Sequence, residues 1–180
     1  MRVLVRVLAL VLASAVMVAV AADETQEQRA LAGAQQLAKA LKELDAETVV
    51  KLSLPDLRWA TGGDAKMLEI MSQKFAEGKK AGMVVDSVTL GQRTRTGDDG
   101  STRYIFFPYT SVAHTNGFRI IDRAFLLALS DDSGKTWYFV DGIQLTEEAM
   151  RKVFVRGYDG HPPLPKREHR IEPKDKVPRS

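Results

Sequence analysis

RYIFFPYTSVAHTNGFRIIDRAFLLALSDDSGKTWYFVD, running from Arg103 to Asp141, is the stretch that decides how this chain folds. It holds three runs rich in β-branched and aromatic residues, separated by two turn signals. Asn116-Gly117 predicts a two-residue hairpin of type I′, a turn that needs positive φ at both central positions. Asp131-Asp132-Ser133-Gly134 predicts a second turn, with Gly134 in the left-handed position. The outcome is an antiparallel meander of three strands.

A two-residue loop at Asn116-Gly117 fixes the register. Thr115 faces Phe118, Ser111 faces Asp122 and Phe107 faces Leu126. Tyr104, Phe106, Thr110, Val112 and His114 then share one face with Ile121, Arg123, Phe125, Leu127 and Leu129, here the Phe106 face. Ile105, Phe107, Tyr109, Ser111 and Ala113 share the other with Phe118, Ile120, Asp122, Ala124, Leu126 and Ala128, the Phe107 face. Both are apolar in their middles, whereas a sheet with one wet face is polar on one side. Helices preceding the sheet cover one face. The other needs a second copy packed sheet to sheet, or the C-terminal segment folded over it. Pro108 removes a ladder donor and predicts a bulge or bend. Small residues at Ser111, Ala113, Ala124 and Ala128 suit either a cavity or close helix approach.

Upstream of the meander the pattern is helical. Leu31, Ala34, Ala38, Leu41 and Leu44 recur at helical spacing, predicting a helix from Thr25 to about Leu44. Asp45 suits the N-cap of a second helix, Ala46–Leu52, and Leu57–Ala60 reads as a short strand between Pro55 and Gly62-Gly63. Asp64 suits the cap of a third helix, Ala65 to Lys80, with Met67, Ile70, Met71 and Phe75 inward and Gly82 as its stop. Met83–Gly91 reads as the first strand, and the polar residues 92–102 as an arm closing at Asp99-Gly100. Thr146 caps a last short helix docked by Met150, Val153 and Phe154.

The termini differ in composition from this centre. Met1 to Ala22 has two early arginines, an uncharged run of 16 residues and small residues before a cleavage site. That is a signal-peptide layout, and the run is shorter than the roughly 20 residues of a membrane-spanning helix. Residues 1–22 are therefore expected to be a leader, the domain to span 23–159, and the chain to be exported to a periplasm or the medium. Membrane attachment is expected only through an uncleaved leader. Residues 160–180 are proline-rich and charged, and read as a disordered tail that could meet anionic surfaces. Residues 23–159 carry 18 basic and 20 acidic groups, so no basic face for nucleic acid is implied. The chain has no cysteine, which excludes disulfides and thiolate chemistry.

Few residues suggest chemistry. Asp122, opposite Ser111 and near Tyr109, is the best candidate for a polar pocket group and a general base. The alternative is a structural hydrogen bond to Ser111 or a helix end. Arg123 and Asp141 suit a cross-strand ion pair. Trp59, Tyr138 and Trp137 suit core positions or ligand platforms. Arg93, Arg95 and Arg103 suit an anion or a solvated hairpin tip. Asp98-Asp99 and Asp131-Asp132 sit at turns without the further oxygens of a calcium loop. No phosphate loop, zinc motif, nucleophile elbow or dinucleotide fingerprint occurs, so no cofactor or metal is expected.

Several segments together resemble the NTF2-like (SnoaL-like) superfamily. They are Leu41–Val50, Leu54-Pro55, Gly62-Gly63, the Met67-Leu68 helix, the Leu126–Asp141 hairpin with its Gly-Lys-x-Trp run, and the Thr146 helix. The resemblance covers roughly residues 26 to 156 and is similar to uncharacterised secreted members. It implies an α+β fold, with N-terminal helices packed on a curved four-stranded antiparallel sheet forming a cone. The superfamily includes isomerases, dehydratases and cyclases as well as binding modules without chemistry. Its enzymes commonly set an Asp/His pair or a Tyr/Asp set in the cone. His114 is the one histidine between residues 23 and 159, and it falls on the opposite face from Asp122. The expected role is therefore non-catalytic binding of a small apolar ligand or a protein partner, as a homodimer through the sheet. Trp59, Tyr109, Ser111, Asp122 and Tyr138 are the candidate ligand contacts. The alternative is an isomerase or hydratase using Asp122 with Tyr109 or Tyr138 in the cone.

Overall fold

The computed structural model describes residues 26–98, 102–146, 148 and 164–173. Within them, helices come first and an open, six-stranded antiparallel sheet follows, an α+β arrangement. Residues 26–43 form α1, Ala46–Leu52 α2, Pro55–Ala60 α3 and Asp64–Lys80 α4. The strands are β1 (Val84–Leu90), β2 (Arg95–Asp98), β3 (Arg103–His114), β4 (Phe118–Ser130), β5 (Tyr138–Asp141) and β6 (Glu168–Pro173). A 3-10 turn, Gly142–Gln144, follows β5. The leader, the Asp99-Gly100 tip and most of the Thr146 helix lie outside the described residues.

The central hairpin takes the register expected from sequence, from Arg103↔Ser130 through Ser111↔Asp122 to His114↔Arg119. Its turn differs. Neither Asn116 nor Gly117 takes a positive φ, so this is not a type I′ turn. Thr115 N–H closes the hairpin on the Phe118 carbonyl at 2.8 Å, and Asn116 packs its side chain beside Gly82. Register here is held by the long ladder more than by turn chemistry. At Pro108 the expected irregularity falls on the neighbouring edge. The Pro108 carbonyl accepts from Gly91 N–H at 2.7 Å, so its ring nitrogen points to the same side, where β1 has ended and β2 has not begun. No β3–β4 bond is lost.

The strand order β1-β3-β4-β5 has β2 continuing beside β1 along β3, and β6 continuing beside β5 along β4. Two strands thus go beyond the four expected. The second corrects the reading of residues 160–180 as disordered: Glu168–Pro173 pairs with Phe118–Arg123, and the domain extends past residue 159. Leu57–Ala60 is also corrected, from strand to helix. Pro55 takes the first helical turn, where its missing N–H costs nothing, and Asp56 favours the N-terminal dipole.

The two faces are buried differently. The Phe107 face packs Ile105, Phe107, Leu126 and Ala128 with α1 and α2. Ala30 and Ala34 of α1 are fully buried there. A Cβ on Gly33 would lie 2.8 Å from the Phe139 ring, so glycine permits this close approach. Small residues serve helix packing, as at Ala124 and Ala128. Arg29 Nε donates to the Gly134 carbonyl at 3.1 Å and ties α1 to the β4–β5 turn. On the Phe106 face, Phe106 and Phe125 meet edge to face at 5.3 Å, with Leu127, Leu129, Val140 and Leu145, and Leu54 and Leu164 cover them. Leu54, Leu145 and Leu164 of the same chain therefore cover that end. Towards the hairpin tip the same face carries ion pairs: Arg123–Glu168 at 2.7 Å, Arg170–Glu172 at 3.3 Å and His114–Asp86 at 2.9 Å. Exposed pairs of this kind contribute little to stability.

The β4–β5 turn is built around Asp132. Its Oδ1 accepts from Ser130 Oγ (2.8 Å), Lys135 N–H (2.9 Å) and Thr136 N–H (2.8 Å). These bonds, the Thr136 amide foremost, hold its carboxyl down at about 2. Gly134 takes the left-handed conformation as expected, and Ser133 does so beside it. Asp132→Ala should cost roughly 1–2 kcal/mol in denaturant unfolding. Because the folded carboxyl titrates below its unfolded value, this stabilisation is complete above pH 4 and fades as pH falls from 3.8 to about 2. A wild-type minus variant difference that stays constant across that window would contradict the assignment.

Candidate functional site

The polar groups of interest lie on the Phe107 face, where β3, β4, β5 and β6 meet. Asp122 on β4 has Ser111 of β3 on one side and His169 of β6 on the other. Its carboxylate turns to β6: Asp122 Oδ1 lies 2.5 Å from His169 Nδ1. An ionised carboxylate only accepts, so Nδ1 carries the proton in this contact. The expected bond to Ser111 is replaced by this one. The Asp122 side chain is 21% exposed and that of His169 57%, which places the pair at the rim of the sheet.

Tyr109 and Asp141 form the second pair. Tyr109 OH donates to Asp141 Oδ1 at 2.8 Å, and Ile143 N–H donates to the same oxygen at 3.0 Å. Burial pushes the Tyr109 hydroxyl far above the usual phenol range, with the Asp141 charge adding to it. Burial also raises the Asp141 carboxyl, its two hydrogen bonds opposing and the Asp122 charge assisting. The arrangement holds protons in place, and it positions the 3-10 turn that follows β5. Asp141 does not pair with Arg123. Opposite Leu126 it faces the Phe107 side, whereas Arg123 stands on the other face and bonds Glu168.

The five expected ligand contacts do not converge. Tyr109, Ser111 and Asp122 share the Phe107 face. Tyr138 pairs with Leu129 on the Phe106 face, and the Arg58 guanidinium sits 5.9 Å from its ring centre. Trp59 is 84% exposed on α3, neither core nor part of a shared wall. A cleft of about 210 Å³ lies elsewhere, between the start of α1 and the β2–β3 hairpin, lined by Gln26, Glu27, Thr96, Asp98, Arg103 and Trp137. Its charged lining has partners within the chain: Arg103 bonds Asp98 and Gln26, and Glu27 pairs with Arg93. Among the described residues, no three of His, Asp or Glu converge as a metal-holding group.

Sequence reasoning missed the end of the sheet nearest the hairpin tip. Phe118 and Ile171 stand 51% and 57% exposed on the Phe107 face, with Ile120 opposite Ile171 and Pro173 opposite Phe118. His169 arrives on the same strand. The available signal was the alternation in Glu168–Glu172, with charges at even positions and His169 and Ile171 at odd ones.

Asp141→Asn keeps both bonds accepted at Oδ1 and removes the carboxyl whose ionisation burial opposes. A raised folded-state carboxyl favours folding at low pH and loses that advantage as pH climbs from 3.8 through its folded value. The variant should therefore match or exceed wild type in melting temperature at pH 7, with a flatter profile as pH rises from 3.8. Tyr109→Phe, which removes one of the two donors, should cost about 1–3 kcal/mol. A destabilised Asn variant at pH 7 would contradict the electrostatic assignment. Compared with protein-family models, with curated proteins and with solved structures, the chain gives no match.

Proposed function

We propose that this chain is an exported NTF2-like domain that binds without chemistry, taking a small apolar ligand or a protein surface at the hairpin-tip end of its sheet. One observation carries the binding reading. Phe118 and Ile171, each more than half exposed, stand on one face with Ile120 and Pro173 between and beside them. Scattered exposed apolar residues are ordinary on protein surfaces. A contiguous group is the kind of surface that serves recognition. Export is supported by the layout of Met1–Ala22. No helix among the described residues is long and apolar enough to cross a membrane, so this reading leaves attachment to an uncleaved leader. The NTF2-like assignment is supported by helices that precede a long antiparallel hairpin, with Leu41–Val50 at the α1–α2 junction and Leu126–Asp141 spanning β4 to β5.

The absence of chemistry in this reading follows from what the polar groups already do. Tyr109 donates a hydrogen bond to Asp141, and burial raises both groups above their ordinary values. One contact favours a second reading, an isomerase or hydratase: Asp122 touching His169 supplies the carboxylate–imidazole pair such a reaction uses. There Asp122 is the base, and Tyr109, bonded to Asp141, contributes only through its position beside it.

The binding reading is tested by titration with 1-anilinonaphthalene-8-sulfonate, an apolar reporter. Wild type should bind it saturably, and Phe118→Asp should weaken binding about tenfold or more, the scale of one lost phenylalanine contact. The melting temperature should hold within a few degrees, because Phe118 is half exposed in the fold. Reporter binding unaffected by Phe118→Asp would overturn this location. Binding weakened by Asp122→Asn instead, with Phe118→Asp silent, would favour the second reading.

A further inference from the structure

Among the described residues, β6 has an outer edge that is both unpaired and self-complementary. Thr115 N–H bonds the Phe118 carbonyl, so even-numbered residues of β4 direct their backbone groups to β3 and odd-numbered ones away from it. Through the β4–β6 register, Glu168, Arg170 and Glu172 therefore direct their backbone groups to β4, while His169, Ile171 and Pro173 direct theirs outward. Among the described residues, no hydrogen bond reaches the outward backbone groups of His169 or Ile171. The side chains alternate in the same way: Glu168, Arg170 and Glu172 on the Phe106 face, His169, Ile171 and Pro173 on the other.

We infer that β6 is the dimer edge of this protein, pairing antiparallel with β6 of a second copy about a two-fold axis at Ile171. This deepens the binding reading above and rests on it, naming the partner of that end of the sheet. Symmetry and backbone polarity leave few registers, because outward-pointing residues must meet outward-pointing residues. A two-fold at Arg170, which pairs His169 with Ile171 of the copy, would set Arg170 against Arg170 and Glu168 against Glu172. A two-fold at His169 would set Ile171 against Arg167, whose guanidinium is engaged with the Gly142 carbonyl at 3.2 Å. The two-fold at Ile171 instead sets Ile171 against Ile171 and Arg170 against Glu172 twice. Opposite charges on neighbouring strands favour such pairing, and like charges directly opposed disfavour it.

The resulting sheet runs through both copies, with Phe118, Ile120 and Ile171 of each contributing to one continuous apolar surface. A sheet-to-sheet dimer does not need this edge, so the two arrangements can be told apart. The charges on β6 otherwise resemble those that keep edge strands solitary. Their order, Glu-His-Arg-Ile-Glu, is the feature that turns them from repulsion into complementarity about Ile171.

Two substitutions at Ile171 test the edge directly, using the full chain. Ile171→Pro leaves the β4-facing donors of β6 intact, since residue 171 points its N–H outward, but it removes the two central bonds of the dimer. Light scattering should give a dimer for wild type and a monomer for Ile171→Pro, with matching circular dichroism. The chain has no cysteine, so Ile171→Cys provides a single thiol. Opposed Cα atoms about 5.5 Å apart lie within disulfide range, so mild oxidation should give a covalent dimer. His169→Cys, set against Pro173, should not crosslink. A monomeric wild type, or a dimer that survives Ile171→Pro and does not crosslink at 171, would overturn the inference. Neither result touches reporter binding at Phe118, which tests the parent reading separately.

Discussion

The β3–β4 ladder is the constraint on which the rest of the structure depends. Its continuous run of pairs from Arg103↔Ser130 to His114↔Arg119 decides which side chains share a face. A slip of one residue would carry Phe107, Tyr109 and Leu126 to the opposite side and expose the core. It would also place Tyr109 away from Asp141 and Asp122 away from His169. Both polar pairs are consequences of register before they are anything chemical. The backbone polarity of β6 is a further consequence, since it is inherited from the same ladder through β4.

The two faces use the hairpin differently along its length. Near β5 the sheet is covered on both sides, by α1 and α2 on one and by Leu54, Leu145 and Leu164 on the other. Beyond Pro108 that sandwich opens. One face becomes a ladder of charges centred on Arg123, Glu168 and Arg170, and the other ends in the exposed group at Phe118 and Ile171. Burial therefore concentrates at one end, and the exposed apolar group proposed for binding lies at the other. The Tyr109–Asp141 bond lies between them. It is a part-buried hydrogen bond that ties β3 to the end of β5.

Much of this division was legible in the sequence, for identifiable reasons. Asn116-Gly117 fixed the loop length, and alternation then predicted every pair on β3 and β4. Asp45 accepts from Thr48 N–H at 3.2 Å as an N-cap, and α2 runs from Ala46 to Leu52 as expected. What failed were segments too short for their period to stand out. Leu57–Ala60 spans barely one helical turn, and its helix is set by Pro55 in the first turn. Glu168–Pro173 carries a single large apolar residue, Ile171, so burial patterns cannot find it. It becomes a strand because β4 is longer than β5 and leaves Phe118–Arg123 unpaired until β6 arrives. Trp59 and Tyr138 were grouped with Tyr109 because aromatic character says nothing about which side of a sheet a residue occupies.

The central claim is that the ladder, held by the buried end, is the most stable part of the domain, with β6 added as a separable edge. Native-state hydrogen exchange read residue by residue tests this most directly. The amides of Phe107, Tyr109, Leu126 and Ala128, bonded between β3 and β4, should exchange only by global unfolding. Those of Arg170 and Glu172, bonded to β4 from β6, should open at lower free energy and without disturbing the first group. Early exchange at Tyr109 and Leu126, or β6 amides that exchange only together with them, would contradict the account.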